Sequence, residues 1–296
     1  MKELLNVGYA AIDQIKGREY YGGAAAGIAI NGKNLGLQTG LLALFGSDER
    51  SKIYWKYLTR LGVDLSLSYI SDHVNLPVNI VLSDEKEHRW NDFGIFRFFK
   101  DIQVESSLIN QYKVIHLASA HYTLVDKVLS RRDQKKGILT YSPGPKLLID
   151  KSYLQREALA ASEIVFFNQR EWEKIQGLLG INHPKDLFRF GPRVVIVTCG
   201  EDGALIFSEK RGDLLERYVP AFRIANPEPT GAGDAFALGF IIGYINSLSL
   251  DTCGEIGSVL AAASVKNDGI VATTSGIRRF KEVLYLNSVT RNTLIV

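Results

Sequence analysis

The stretch richest in chemical possibilities is Asn226-Pro227-Glu228-Pro229-Thr230-Gly231-Ala232-Gly233-Asp234-Ala235-Phe236. Two prolines hold the chain extended, and a glycine pair then leads into the apolar run from Ala235 to Ile245. Glycines at a helix start let a ligand approach the backbone closely. The first amides of a helix also lack intrahelical partners, so the two features together make an anion site. A carboxylate beside a bound phosphate is repelled unless it has a task. Asp234 therefore reads as a base that takes a proton from a hydroxyl while Gly231, Ala232 and Gly233 hold the transferring phosphoryl group. The competing reading of Asp234 is an ordinary helix N-cap after a glycine-rich turn.

Two glycine patterns elsewhere do not carry their usual meaning. Gly27 to Asn34 comes close to a P-loop, but Asn34 replaces the Ser or Thr that would hold magnesium, and the segment lies in a helical pattern. Gly231-Ala232-Gly233 is not a dinucleotide fingerprint, because Phe236 stands at the third glycine position and the motif comes late in the chain.

These residues need a scaffold, and the chain predicts one. Strands are expected at Leu4–Val7, Gly40–Phe45, Val114–Ala118, Gly137–Tyr141, Glu163–Phe167 and Val194–Thr198. Helices are expected at Ala24–Leu35, Arg50–Leu61, Thr123–Arg132, Tyr153–Ala160 and Arg170–Leu179. That alternation predicts βαβ units, a mostly parallel sheet and an α/β fold of three layers, α/β/α, in a single domain over residues 1–296. Two segments break the rhythm. The alternating run Leu76 to Leu82 and the aromatic stretch His88 to Phe96 fall within residues 66–100, and a short excursion covers 14–21. Alternation predicts a half-exposed antiparallel strand, so these segments are expected to form a small β lid.

The 296 residues are 46% hydrophobic and 23% charged, which fits a globular enzyme and excludes a disordered tail protein. Cys199 and Cys253 are the only cysteines, too few for a disulfide framework or a four-cysteine zinc site. With 35 basic against 32 acidic side chains and no long block of like charge, nucleic acid is not expected as a partner. No targeting signal is read at the start and no run approaches 18 apolar residues, so the expected location is cytoplasmic, away from the membrane.

Thr230-Gly231-Ala232-Gly233-Asp234 followed by Ala235-Phe236 resembles the C-terminal signature of the PfkB, or ribokinase-like, carbohydrate kinase family. Gly22-Gly23-Ala24-Ala25-Ala26, with Leu35-Gly36 and Phe45-Gly46-Ser47-Asp48 after it, resembles the N-terminal signature. Gly8 to Asp13 is similar to the family's first-strand segment, whose Asp contacts substrate hydroxyls. Asn168-Gln169-Arg170-Glu171 is similar to the Asn-x-x-Glu element near the magnesium–phosphate site, and Thr198-Cys199-Gly200 through Gly203 to the nucleotide segment and its hairpin. The matches run in order over residues 4 to about 276.

The resemblance implies ATP as phosphoryl donor, Mg2+ as cofactor and a sugar, nucleoside or polyol as acceptor. It also implies roles: Asp13, Gly22, Gly23 and Gly27 for the acceptor; Thr198, Gly200, Gly203, Ala263 and Asn267 for the nucleotide; Asn168 and Glu171 for the metal's water shell. Asn168 with Glu171 equally spells a helix capping box, and both readings can hold. Asp13 could cap a loop, Thr198 and Gly200 could form a plain hairpin turn, and Ala263 and Asn267 could be helix packing. A monovalent cation such as K+ and a homodimer paired through the lid are further family traits. Departures are Gly27, where many members carry a sugar-binding Asn, Ser142-Pro143-Gly144 for the common Asp-Pro-Asn, and Glu228 for an Asp. Tyr20-Tyr21 through Ala26, Ser142-Pro143-Gly144 and Asn168-Gln169-Arg170-Glu171 together most resemble the archaeal nucleoside-kinase-like and inositol-kinase-like branch. The 14–21 excursion leans to the inositol side, whereas Trp90, Phe93 and Phe96 could stack on a nucleobase. A catalytically silent sugar- or nucleoside-binding relative is the alternative to an active kinase.

Overall fold

The computed structural model describes residues 1–15, 17–82, 87–91, 94–149, 154–222 and 230–265. The first eight strands are β1 (Lys2–Gly8), β2 (Ala11–Ile15), β3 (Arg18–Gly22), β4 (Thr39–Leu42), β5 (Leu44–Gly46), β6 (Tyr69–Ser71), β7 (Val78–Leu82) and β8 (Glu87–Asn91). The later strands are β9 (Tyr112–Ala118), β10 (Ile138–Ser142), β11 (Ile164–Asn168), β12 (Val194–Thr198), β13 (Ala204–Lys210) and β14 (Asp213–Val219). Among the helices are α1 (Ala24–Asn34), α2 (Glu49–Leu61), α3 (Ser106–Ile109), α4 (Tyr122–Arg131) and α5 (Lys146–Ile149). They are followed by α6 (Arg156–Ala161), α7 (Gln169–Leu179), α8 (Ala232–Ile245) and α9 (Leu250–Val265).

The main sheet has eight strands in the order β14-β13-β12-β11-β10-β9-β1-β4. Its pairings are parallel from β4 to β12, and the β13–β14 hairpin closes one edge antiparallel. Side chains alternate between two faces along a strand, and each face here buries its own core. Leu4 packs on one side with Ile28, Phe236, Phe240 and Leu260 of α1, α8 and α9. Leu5 and Val7 pack on the other with Val125, Leu159, Trp172 and Ile175 of α4, α6 and α7. The three-layer α/β/α architecture read from the sequence is the one observed.

The predicted elements recur with small shifts at their ends, and one prediction needs correction. Gly40–Phe45 is not one strand. Tyr69 donates its amide to the Ala43 carbonyl and the Ser68 hydroxyl accepts from the Ala43 amide. The chain therefore leaves the main sheet at Ala43, and β5 pairs with β6 instead. The segments that broke the βαβ rhythm contribute to a four-stranded sheet, β3-β2-β7-β8. There β7 is antiparallel to β8, as alternation suggested, but parallel to β2. Residues Ile95–Asp101 form a 3-10 helix whose Ile95 and Phe99 are buried in the main core.

Helices α1 and α8 are apolar around their whole circumference, with Ala25 to Gly32 and Ala235 to Gly243 buried. Such helices must be enclosed on all sides. α8 is covered by α9, and their backbones meet where a Cβ on Gly239 would lie 2.8 Å from the Gly257 Cα. Among the described residues no helix is long and apolar enough to cross a membrane. Gly239→Val, which forces the two helices apart, is expected to destabilise the fold by about 1–3 kcal/mol. Thermal melting checks this, and an unchanged Tm would show that the close approach is dispensable.

Candidate active site

The parallel strands end together at one edge of the main sheet. Gly8, Ala118 and Ser142 are register neighbours across β1, β9 and β10, and Asn168 pairs with Thr198 across β11 and β12. Ligand sites of open α/β sheets form at this carboxyl edge. Two helices that meet this edge, α1 and α8, begin without a side-chain cap among the described residues. Gly23 caps α1 at φ 89° and Gly231 caps α8 at φ 78°, neither end has a side-chain cap, and the conformations are left-handed ones that glycine adopts freely.

Asp13 lies in β2 and is 4% exposed. The Asn79 amide donates to its Oδ1 at 2.8 Å and the Gly23 backbone amide donates to the same carboxylate. A Cβ on Gly22 would overlap the Asp13 carboxyl, so the Gly22-Gly23 pair is required for this carboxylate to sit where it does. Burial pushes the Asp13 carboxyl up to about 6, against the pull of the Asn79 and Gly23 bonds.

Asp234 is the third residue of α8, not its N-cap, which removes the capping alternative. Its carboxyl is only partly screened from solvent by surface area but is densely surrounded. Burial, and then the negative charge of Asp13, push it up to about 7. Among the described residues, a Cβ on Gly233 would meet no atom within 4 Å.

At the other end of the edge, Asn168 and Glu171 form a complete capping box: Asn168 Oδ1 accepts the Glu171 amide at 2.9 Å and Glu171 Oε2 accepts the Asn168 amide at 3.0 Å. Glu171 is buried, and burial with the nearby charge of Asp234 raises its carboxyl to about 7, although the bonds to Asn168 pull it down. Asp234 thus couples electrically to Asp13 on one side and to Glu171 on the other. The Thr198 hydroxyl donates to the Phe167 carbonyl at 3.4 Å, and Gly200 opens a 3-10 turn at φ 61°. Gly203 has a packing reason, since a Cβ there would overlap the Val219 carbonyl. Ala263 is buried on α9, the helix packed against the β13–β14 hairpin. Gly27 is buried on α1, its amide donating to the Gly23 carbonyl at 2.8 Å. Asn267, Glu228 and Phe93 lie outside the described residues, as do Asn226 to Pro229 in front of the anion motif.

Several residues at this edge escaped sequence reading. Asn79 sits on the polar face of an alternating strand, the face expected to meet water, yet it is 3% exposed. Tyr54 of α2 donates its hydroxyl to the Gly22 carbonyl at 3.0 Å while its ring stacks on Tyr21 at 4.5 Å. The Lys146 ammonium lies 3.7 Å from the Phe96 ring centroid and 4.6 Å from that of Tyr9, and Phe96 stacks on His121. Burial, with the charge of Lys146, lowers the His121 imidazole to about 4. The Ser142-Pro143-Gly144 departure also has a local cause, because a Cβ on Gly144 would overlap the hydroxyl of Ser119, itself held at φ 51°.

Could these residues hold magnesium and a nucleotide? Among the described residues no three His, Cys, Asp or Glu side chains converge into a metal cage. Magnesium typically keeps several waters and takes its remaining ligands from substrate phosphates and one or two carboxylates. The mutually repelling pair of a buried Glu171 and a half-buried Asp234 at the start of a helix suits that arrangement.

The family described as pfkB family carbohydrate kinase matches residues 7–275. A nucleoside kinase of Methanothermobacter thermautotrophicus is 28% identical over 94% of this chain and 96% of its own. The crystal structure of the Methanocaldococcus jannaschii nucleoside kinase, an archaeal member of the ribokinase family, superposes with a TM-score of 0.81. It is 24% identical and covers 95% of this chain and 98% of its own. A ribokinase-like protein from E. coli, crystallised with ATP and Mg2+, superposes at 0.78 with 17% identity over 97% and 100% of the two chains.

The three raised carboxyls have a consequence for stability. Each ionises at higher pH folded than unfolded, from starting values of 3.8 for the two aspartates and 4.5 for Glu171. Their stabilising contribution is therefore complete below those starting values and is lost as pH rises through about 6 to 7. Asp234→Asn removes one of these ionisations, so its Tm is expected above wild type at pH 8, with the gap closing towards pH 5. Melting both proteins across that range checks it.

Proposed function

Because the chain belongs to the pfkB family of carbohydrate kinases, and so is a phosphotransferase with an alcohol group as acceptor, we propose that it transfers the γ-phosphate of ATP to a hydroxyl of a nucleoside. Sugars and polyols remain the competing acceptors within the same chemistry. The observation that carries this reading is the electrostatically coupled pair Asp13 and Asp234, one at each of two uncapped helix N-termini. Asp13 and the Gly22-Gly23 backbone orient the acceptor. Asp234, with a carboxyl near neutrality, is matched to accept the hydroxyl proton at physiological pH. The amides of Gly231, Ala232 and Gly233 receive the phosphoryl oxygens.

Magnesium, when bound, neutralises charge on the phosphates. Asn168 and Glu171 would hold its water shell, which leaves their capping role intact because the cap uses one oxygen of Glu171. Thr198, in register beside Asn168, and Gly200 in the turn after it would contact the nucleotide phosphates, with Gly203 shaping the hairpin and Ala263 beside the base. The four-stranded sheet acts as a lid that carries Asp13 on β2 and keeps water from the γ-phosphate. Its edge strands β3 and β8 are the surfaces through which a homodimer would pair.

Nucleosides, inositols, pentoses and hexoses, each supplied with ATP, Mg2+ and K+, would be screened for ATP consumption. A nucleoside is expected to respond most strongly; a response confined to sugars or polyols would overturn the acceptor class. Asp234→Asn is expected to lower kcat about 10²–10⁴-fold with ATP binding retained. Gly233→Ala is a sharper check on the anion hole. A methyl group there meets no described atom within 4 Å, and alanine favours a helix by about 1 kcal/mol over glycine, so Tm should hold or rise while kcat falls. Undiminished turnover would remove the phosphoryl group from that site.

A further inference from the structure

We propose that Asn79 of β7 is a positioning residue for acceptor binding, its amide fixing the Asp13 carboxylate in the orientation that engages a vicinal diol. The proposal rests on the assignment of Asp13 to the acceptor made above. Asn79 and Asp13 are register partners on adjacent parallel strands, so the contact is built into the sheet and does not depend on a mobile side chain finding its target. The Nδ2–Oδ1 distance is 2.8 Å and both residues are almost wholly buried. A carboxylate offers about four lone-pair positions. The described bonds from Asn79 and the Gly23 amide take two, which leaves two, the number that a pair of neighbouring hydroxyls uses.

The surroundings of Asp13 explain why it needs this help. Asp234 faces it from the start of α8, a like charge that opposes its ionisation. From α2 comes the Tyr54 hydroxyl, whose ionisation is itself pushed well above its ordinary value by burial and by Asp13. β3 contributes Tyr20 in register and the bare Gly22, and neither carries positive charge. Among the described residues, the Asn79 and Gly23 donors are what oppose burial and hold the carboxylate in its acceptor form. An acidic or protonated carboxyl would spend a lone pair on its own proton and present a donor where a hydroxyl also donates.

Asn79→Leu keeps the volume and removes the donor, and Asn79→Ser restores a shorter one. With the best acceptor from the screen, Asn79→Leu is expected to raise the acceptor KM about 10–100-fold, the worth of a hydrogen bond to a charged group, and to leave the ATP KM within about twofold. The acid limb of kcat/KM moves to higher pH, because loss of a donor to the ionised form makes Asp13 harder to ionise. A merely structural asparagine would not move that limb. Asn79→Ser recovers part of both effects, and it carries the test if circular dichroism shows Asn79→Leu unfolded. The double variant with Asp13→Asn is expected to be no worse than Asp13→Asn alone, since both act through one carboxylate. A wild-type acceptor KM and acid limb in a folded Asn79 variant, with Asp13→Asn impaired, would overturn the role of Asn79 alone. Full acceptor affinity in Asp13→Asn would instead overturn the acceptor assignment beneath it.

Discussion

Asp13 and Asp234 are held within electrostatic reach of one another in surroundings that resist ionisation of both. Much of the local construction answers that constraint. Two like carboxylates cannot be placed so cheaply in apolar surroundings; each needs backbone dipoles and amides to stand in for water. The fold supplies them from helix N-termini, α1 behind Gly23 and α8 behind Gly231, and it leaves both ends free of side-chain caps. Placing a helix N-terminus at a sheet edge requires the helix to run back across the sheet, and the central turns of α1 and α8 are buried as they do so. Small residues follow from this geometry. Ala24 to Gly27 let α1 approach β1, and Gly239 against Gly257 lets α9 close over α8.

The same constraint explains why residues at the carboxyl edge carry double duty. Asn168 and Glu171 close a capping box that stabilises the start of α7, and the box holds a buried carboxyl next to Asp234. A cap of this kind fixes both side chains in one rotamer through reciprocal bonds. The capping geometry leaves a proposed metal-shell role for the same pair open rather than displacing it. Ser119 and Gly144 show the opposite case. Their interlock explains glycine at 144 by packing alone, without appeal to a ligand.

The small sheet contributes more than cover. Through β2 and β7 it delivers Asp13 already paired with Asn79, and through β3 it delivers Gly22 braced by Tyr54. Tyr9 and Phe96, which flank two of its connections to the main body, meet at the Lys146 ammonium. Among the described residues, the base of the sheet is tied near the ends of β9 and β10 by aromatic and cationic contacts.

Local rules determined much of this protein. The βαβ rhythm, the all-apolar helices, the glycine pair ahead of Asp234 and the capping box at Asn168 are all readable because each depends on residues within a turn or a strand length. Val194–Thr198 is an example, a β-branched run that forms the strand expected of it. Tertiary structure decided what local spacing cannot encode. Ala43 ends a strand because Ser68 and Tyr69 compete for its backbone, and Asp13 finds Asn79, 66 residues away. Alternation assigned Asn79 to a solvent face, since periodicity reports which residues share a face but not what covers it. The raised carboxyls at Asp13, Glu171 and Asp234 belong to the same class. Residue type sets a starting value, and only the packing of distant elements around each group determines how much water is left to solvate its charge.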